Sequence, residues 1–207
     1  MLRVTRLFVG CALLAVMLVS CRQGGQGVDF KDIPLGSVRN GDLVFRRGRS
    51  FSSGMILAHD KGSNYSHIGI VYRLDTMLYV IHAVNEEPDF DGDFDRVKME
   101  PLEVFFSHER ASAGAMCHSW VSDSVSASLT AKAVGLVCDS VRFDADFNLD
   151  DSDELYCTEL VYHLYKGAGI DITEGRRTKV GIMCFPDEVI FPDDIRRNKN
   201  LLEYFEF

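Results

Sequence analysis

The chain has 207 residues, 46% of them apolar, enough for one domain with a full hydrophobic core. Its 31 acidic residues outnumber 22 basic ones, giving a formal charge of −9. That balance argues against nucleic acid as a partner and against a broad polybasic grip on anionic lipid.

Residues 1–20 have the layout of an export signal. Arg3 and Arg6 precede an uncharged apolar run from Leu7 to Val19, too short for a transmembrane helix. Leu18-Val19-Ser20-Cys21 then resembles the lipobox of bacterial lipoproteins, in which the cysteine is lipidated and the chain is cut before it. The expectation is a signal peptide over 1–20, a lipidated N-terminus and tether over 21–35, and a folded domain over 36–207. Membrane attachment would run through lipid on Cys21, in the bacterial cell envelope and on the periplasmic side of a cell with an outer membrane. Loss of Arg3 and Arg6 takes the charge from −9 to −11.

The body alternates strand and helix signals. Gly41 to Phe45 is a turn entering a strand, and Phe51 to Ala58 suits a short helix. Strands are expected over 66–72 and 78–84, near 97–99, and over 114–120. Val125, Leu129, Ala133, Leu136 and Val137 recur at helical spacing, with Ser122 or Asp123 as the cap. A last helix is expected over 154–166, ended by Gly167 and Gly169.

Chemistry concentrates in two places. Cys157 lies in the first turn of the last predicted helix, where backbone amides favour a thiolate. Cys157, Leu160, Val161, Leu164 and Ala168 form one stripe, so the thiol is expected to face the sheet. On that sheet, a four-residue loop from Arg73 to Thr76 would pair residues whose numbers sum to 149. Val71 would then oppose Leu78, Gly69 would oppose Val80, and His67 would oppose His82. Each residue alone is an ordinary buried cysteine or histidine. Together they form a nucleophile and a base.

Other candidates carry less. Cys117, Cys138 and Cys184 lack any Cys-x-x-Cys spacing and are expected as buried free thiols. Asp89, Asp91, Asp93 and Asp95 imitate a calcium loop with Glu100 at its twelfth place, but Phe94 stands where the loop requires glycine. An acidic hairpin tip is the better account. Zinc on Cys157, His67 and His82 would rest on the hairpin register alone, so neither metal nor cofactor is expected. Glu159 is a candidate for a substrate amine.

Several segments, in order, resemble a known family: Gly-Asp-Leu-Val-Phe at 41, Ser-His-Ile-Gly-Ile-Val at 66, Val-Ile-His-Ala-Val at 80, and Tyr-Cys-Thr-Glu-Leu-Val at 156. Phe-Asp-Ala-Asp-Phe at 143 and Phe-Pro-Asp-Asp-Ile at 191 fit as well. The chain is similar to the circularly permuted papain-like hydrolases of the YaeF/YiiX type, relatives of NlpC-type cell-wall peptidases and of lecithin retinol acyltransferase. The resemblance covers roughly residues 36 to 195 and implies an α+β fold, an antiparallel sheet packed against the nucleophile helix. It implies Cys157 as nucleophile, His67 as base and His82 as the third polar residue, where much of this group carries Glu. Tyr65 and Glu159 are the residues expected to meet substrate. The implied activity is cleavage of an amide in a peptide, a peptidoglycan fragment or an aminoacyl conjugate through a thioester. A lipid acyl hydrolase or acyltransferase acting on an acylated small molecule, and an inactive binding lipoprotein, are the alternatives.

Overall fold

The computed structural model describes residues 30–60, 62–150, 153–180 and 186–207; the leader, Cys21 and Cys184 lie outside them. Strands are β1 (Leu43–Gly48), β2 (His67–Leu74), β3 (Met77–Val84), β4 (Arg96–Pro101), β5 (Ala111–His118), β6 (Thr178–Lys179), β7 (Glu188–Val189) and β8 (Leu202–Glu206). Helices are α1 (Phe51–His59), α2 (Leu102–Phe105), α3 (Asp123–Cys138), α4 (Cys157–Lys166) and α5 (Pro192–Arg196). Six strands form one antiparallel sheet in the order β4-β3-β2-β1-β5-β8. The α+β class and the antiparallel sheet packed against the cysteine-bearing helix are as expected.

Two apolar layers sandwich the sheet. On one side Leu160, Val161 and Leu164 of α4 and Leu129 and Ala133 of α3 cover Ile68, Ile70 and Ile81. On the other, Leu102, Phe105 and Phe106 cover Val44, Val71, Val80 and Met116. Alternation along each strand explains the division, since neighbouring residues point to opposite faces.

The central hairpin corrects the expected register. Its loop is two residues long, Asp75 and Thr76, with Leu74 paired to Met77 and Val71 paired to Val80. Asp75 takes the left-handed conformation (φ 53°), which lets the strands turn sooner than a four-residue loop allows. The slip is two residues, so the strand faces survive, but His67 and His82 are diagonal rather than opposite. Carried one residue further, the register sets Gly69 opposite His82.

The facing surfaces need correcting too. His67 and His82 share the parity of Val71 and Val80 and pack their rings beside Phe105, at 5.8 and 5.3 Å between centroids. They therefore lie on the face away from α4. Helix α4 also starts at Cys157 rather than 154, leaving Glu154 in an isolated bridge with Arg142 before the helix. In the acidic segment, Asp93 accepts from the backbone of Asp89 and Phe94, while Arg96 and Lys98 pair with Asp89. Those carboxylates serve the loop between β3 and β4.

Candidate active site

Cys157 is the first residue of α4, and the start of that helix is fixed by its neighbours. The Glu159 carboxylate accepts the Tyr156 N–H (3.3 Å), a capping contact that satisfies an amide the helix cannot. The Thr158 hydroxyl donates to the Ile190 carbonyl (2.6 Å), and the Tyr156 hydroxyl accepts the Ile190 N–H (3.2 Å). These bonds tie the nucleophile's backbone to the segment after β7. The thiol is buried, and burial pushes it up to about 11 against the opposing pull of the Ile68 and Thr158 amides and Arg46. A thiolate favoured by the helix terminus is therefore not the resting form. Desolvation outweighs the dipole, and the sulfur keeps its proton.

His67 meets Cys157 at the end of the sheet rather than through its face. As the first residue of β2, it opens into the same narrow cavity, which Arg46, Ser66, Asn85 and Glu87 also line. No hydrogen bond joins the two side chains among the described residues. His67 Nε2 instead lies 2.7 Å from His82 Nδ1, with the rings nearly perpendicular at 81°. Gly69, opposite His82 in the register, brings no side chain to that crowded spot: a Cβ there would lie 2.4 Å from Val80 Cγ1 and 3.3 Å from His82 Cβ. Burial pulls His67 well below the usual histidine range, and the Arg46 guanidinium adds to it. His67 is thus a neutral base beside a neutral thiol.

His82 is wholly buried, which lowers its affinity for a proton, while Glu100 draws it the other way. The ring Nε2 stands 3.2 Å from Glu100 Oε1. Burial alone would raise Glu100, but His82, Arg110 and Arg46 outweigh it and hold the carboxyl down at about 2. Arg110 bonds both Glu100 and Glu87; Arg46 bonds Glu87 and donates to the Phe105 carbonyl (3.0 Å). Lys98 closes the cluster by donating to the Glu87 carbonyl (2.7 Å).

The structure brings Cys157, His67 and His82 together but directs two other candidates elsewhere. Glu159 is fully buried, with its oxygens on Tyr156 N–H and near His163 (3.3 Å). Tyr65 is 1% exposed and donates to Glu206 Oε1 (2.6 Å). Neither lines the Cys157 cavity, and their polar atoms are engaged within the fold, so nothing in the geometry supports the expectation that they meet substrate. Sequence reasoning missed Arg46 and Glu87, and it weighed Glu100 only as the twelfth place of a calcium loop that it set aside for an acidic hairpin tip. Among the described residues, no group of three or more His, Cys, Asp or Glu is arranged to hold a metal ion.

The Cys157 cavity continues into an apolar cleft of about 220 Å³ between α1 and the 143–147 segment. Ile56, Phe143 and Phe147 line both spaces; Met55 and Phe191 line the cleft alone.

No curated protein matches the sequence. Among solved structures, the metalloprotein yiiX from Escherichia coli O157:H7 is similar in fold, with a TM-score of 0.66 and 21% identity; the match covers 82% of this chain and 97% of that one. A sequence model described as permuted papain-like amidase, YaeF/YiiX, C92 family, matches residues 37–201. With the histidine strands ahead of the cysteine helix, and with that match spanning most of its length, the chain belongs to the permuted papain-like amidase family of YaeF/YiiX, C92.

Proposed function

We propose that the protein is a cysteine hydrolase, anchored to the bacterial envelope through lipid on Cys21, that cleaves an amide bond by way of a thioester on Cys157. The observation carrying this reading is a buried thiol at a helix start, sharing one cavity with a histidine whose other nitrogen is held by a second histidine. Substrates of the right kind are a peptidoglycan stem peptide, a small peptide or an aminoacyl conjugate.

In this mechanism His67 Nδ1 takes the thiol proton as Sγ attacks the carbonyl carbon, so no standing thiolate is required. The Cys157 backbone N–H, at the helix start, donates to the oxyanion that forms. As the C–N bond breaks, His67 returns the proton to the departing nitrogen, leaving a thioester. Water then adds with His67 again accepting a proton, and the sulfur recovers its proton as the acid leaves.

The apolar cleft favours a second reading, in which the acyl portion is an aliphatic chain and the reaction is acyl hydrolysis or transfer. Matched amide, ester and thioester substrates bearing either an aminoacyl or an octanoyl group would separate the two. Amide cleavage lost in Cys157→Ala, with a hydroxylamine-sensitive acyl adduct on Cys157 in the parent, is the expected result. Cleavage that persists in Cys157→Ala would refute the nucleophile assignment, and turnover of esters alone would favour the second reading.

A further inference from the structure

We infer that Glu100 is a positioning residue of this site: from the strand beyond His82 it supplies the fixed negative charge that an imidazole in the third position lacks. This rests on the reading of Cys157 and His67 as nucleophile and base. The charge sits one strand outward from His82, which acts as the spacer between it and His67.

The inference follows from counting protons. An ionised carboxylate only accepts hydrogen bonds, so contact with Glu100 selects the His82 tautomer with its hydrogen on Nε2. His82 Nδ1 then holds a lone pair and can only accept, so His67 must donate from Nε2 across the 2.7 Å contact. A neutral His67 with hydrogen on Nε2 has its lone pair on Nδ1, the nitrogen left for the thiol. Without the carboxylate, the opposite arrangement becomes open. His82 would donate to His67 Nε2, His67 would carry its hydrogen on Nδ1, and it could not accept the Cys157 proton. Glu100 thus decides whether the base is in its working form.

The surroundings fit this role. His82 Nε2 and Glu100 Oε1 are both buried and neither makes a hydrogen bond among the described residues, yet they stand 3.2 Å apart, close enough for a small turn of either side chain to align them. Arg110 holds Glu100 through Oε2, while Arg46 stands 3.7 Å from Oε1 and Lys98 3.9 Å from Oε2. Glu87 partly neutralises both arginines. Glu100 is therefore kept charged and fixed, with Oε1 turned to the imidazole. When His67 takes a proton during attack, its positive charge can pass through the His67–His82 contact toward that carboxylate.

The test has one arm that needs no substrate. Nitrogen NMR of ¹⁵N-histidine-labelled protein should show His67 protonated on Nε2 and bare on Nδ1, with His82 likewise protonated on Nε2. Glu100→Gln should mix these tautomers, and Glu100→Asp should retain them; unchanged tautomers in Glu100→Gln would overturn the inference. This outcome is independent of whether any amide is cleaved, so failure of the enzyme reading and failure of the inference are distinguishable. On a substrate that the parent turns over, Glu100→Gln should lower kcat roughly 10²-fold with KM little changed. The acid limb of its pH profile should move to lower pH, because a lost negative neighbour disfavours protonated imidazole. In a His82→Glu background, where a carboxylate already touches His67, the same change should cost less than about threefold. Equal losses in both backgrounds, with an unmoved acid limb, would assign Glu100 to structure alone.

Discussion

Gly69→Ala puts the diagonal histidine contact to a direct steric test. A Cβ at this position would lie 2.4 Å from Val80 Cγ1, 3.1 Å from the Ile81 carbonyl oxygen and 3.3 Å from His82 Cβ. Carbon atoms in contact prefer about 3.5–4.0 Å, so at least ~1 Å of separation must be found between β2 and β3. Both strands are laddered on both sides, which blocks an easy escape. The strain should cost about 1–3 kcal/mol, the range for overpacked cores. For a domain of this size that lowers Tm by roughly 2–12 °C. The catalytic cost should be of similar size, because a shift of ~1 Å between His67 and His82 is enough to remove about 10²-fold in rate, or about 2.7 kcal/mol. Thermal melting and kcat/KM on an amide substrate measure the two effects separately. Gly135→Ala in α3 is the control: nothing lies within 4 Å of its new methyl group, and the change should be neutral or stabilise by up to about 1 kcal/mol. A Gly69→Ala protein with parental Tm and turnover would refute the claim that the histidine contact depends on glycine at this position.

Further expectations follow from charge and burial. Iodoacetamide modification of Cys157 should keep rising by about tenfold per pH unit through the alkaline range, because burial holds the thiol up at about 11; a rate that levels off near neutrality would mean a resting thiolate instead. Asp60 is raised to about 6, first by burial and then by Asp193, so the native state holds the extra proton and stability falls as pH rises from 3.8 toward 6. That gap is worth at most about 3 kcal/mol, and partial screening leaves about 1–2 kcal/mol; Asp60→Asn should gain this much in urea unfolding above pH 6 and nothing near pH 3.8, and an equal gain at both pH values would remove the electrostatic cause. Cys21→Ser should move most of the protein from the membrane fraction to the soluble one, and unchanged fractionation would exclude the lipid anchor.

Much of the architecture was legible because alternation and helical stripes record burial directly. The stripe of Leu160, Val161 and Leu164 does cover the sheet, though over Ile68, Ile70 and Ile81 rather than over the face that carries the histidines. The register was not legible, since Arg73 to Thr76 is compatible with a loop of four residues or of two. Only the left-handed Asp75 separates these, and an aspartate is merely tolerant of that conformation. An error of two residues preserves every face, so the histidine pairing was found for an imperfect reason. An error of one would have lost it.

Glu100 was hidden for a different cause. Arg96, Lys98 and Glu100 alternate with Val97 and Met99, the pattern of a strand with one solvated face. In the structure Lys98 is 3% exposed and Glu100 5%, because that face is covered and the charges are paired beneath the cover. Their partners come from separate places in the chain: Arg46 from β1, His82 from β3, Glu87 and Asp89 from the following loop, and Arg110 from just before β5. No local window contains that set. A histidine in the third position looked like a missing charge when His82 was considered alone. Beside Glu100 it becomes a displaced one, and the protein's buried ion pairs acquire a reason. A carboxylate that must stay ionised in an apolar layer needs cations, and those cations, unbalanced, would drive His67 further from accepting a proton. Glu87, bound to both arginines, offsets part of that opposing field while leaving Glu100 charged.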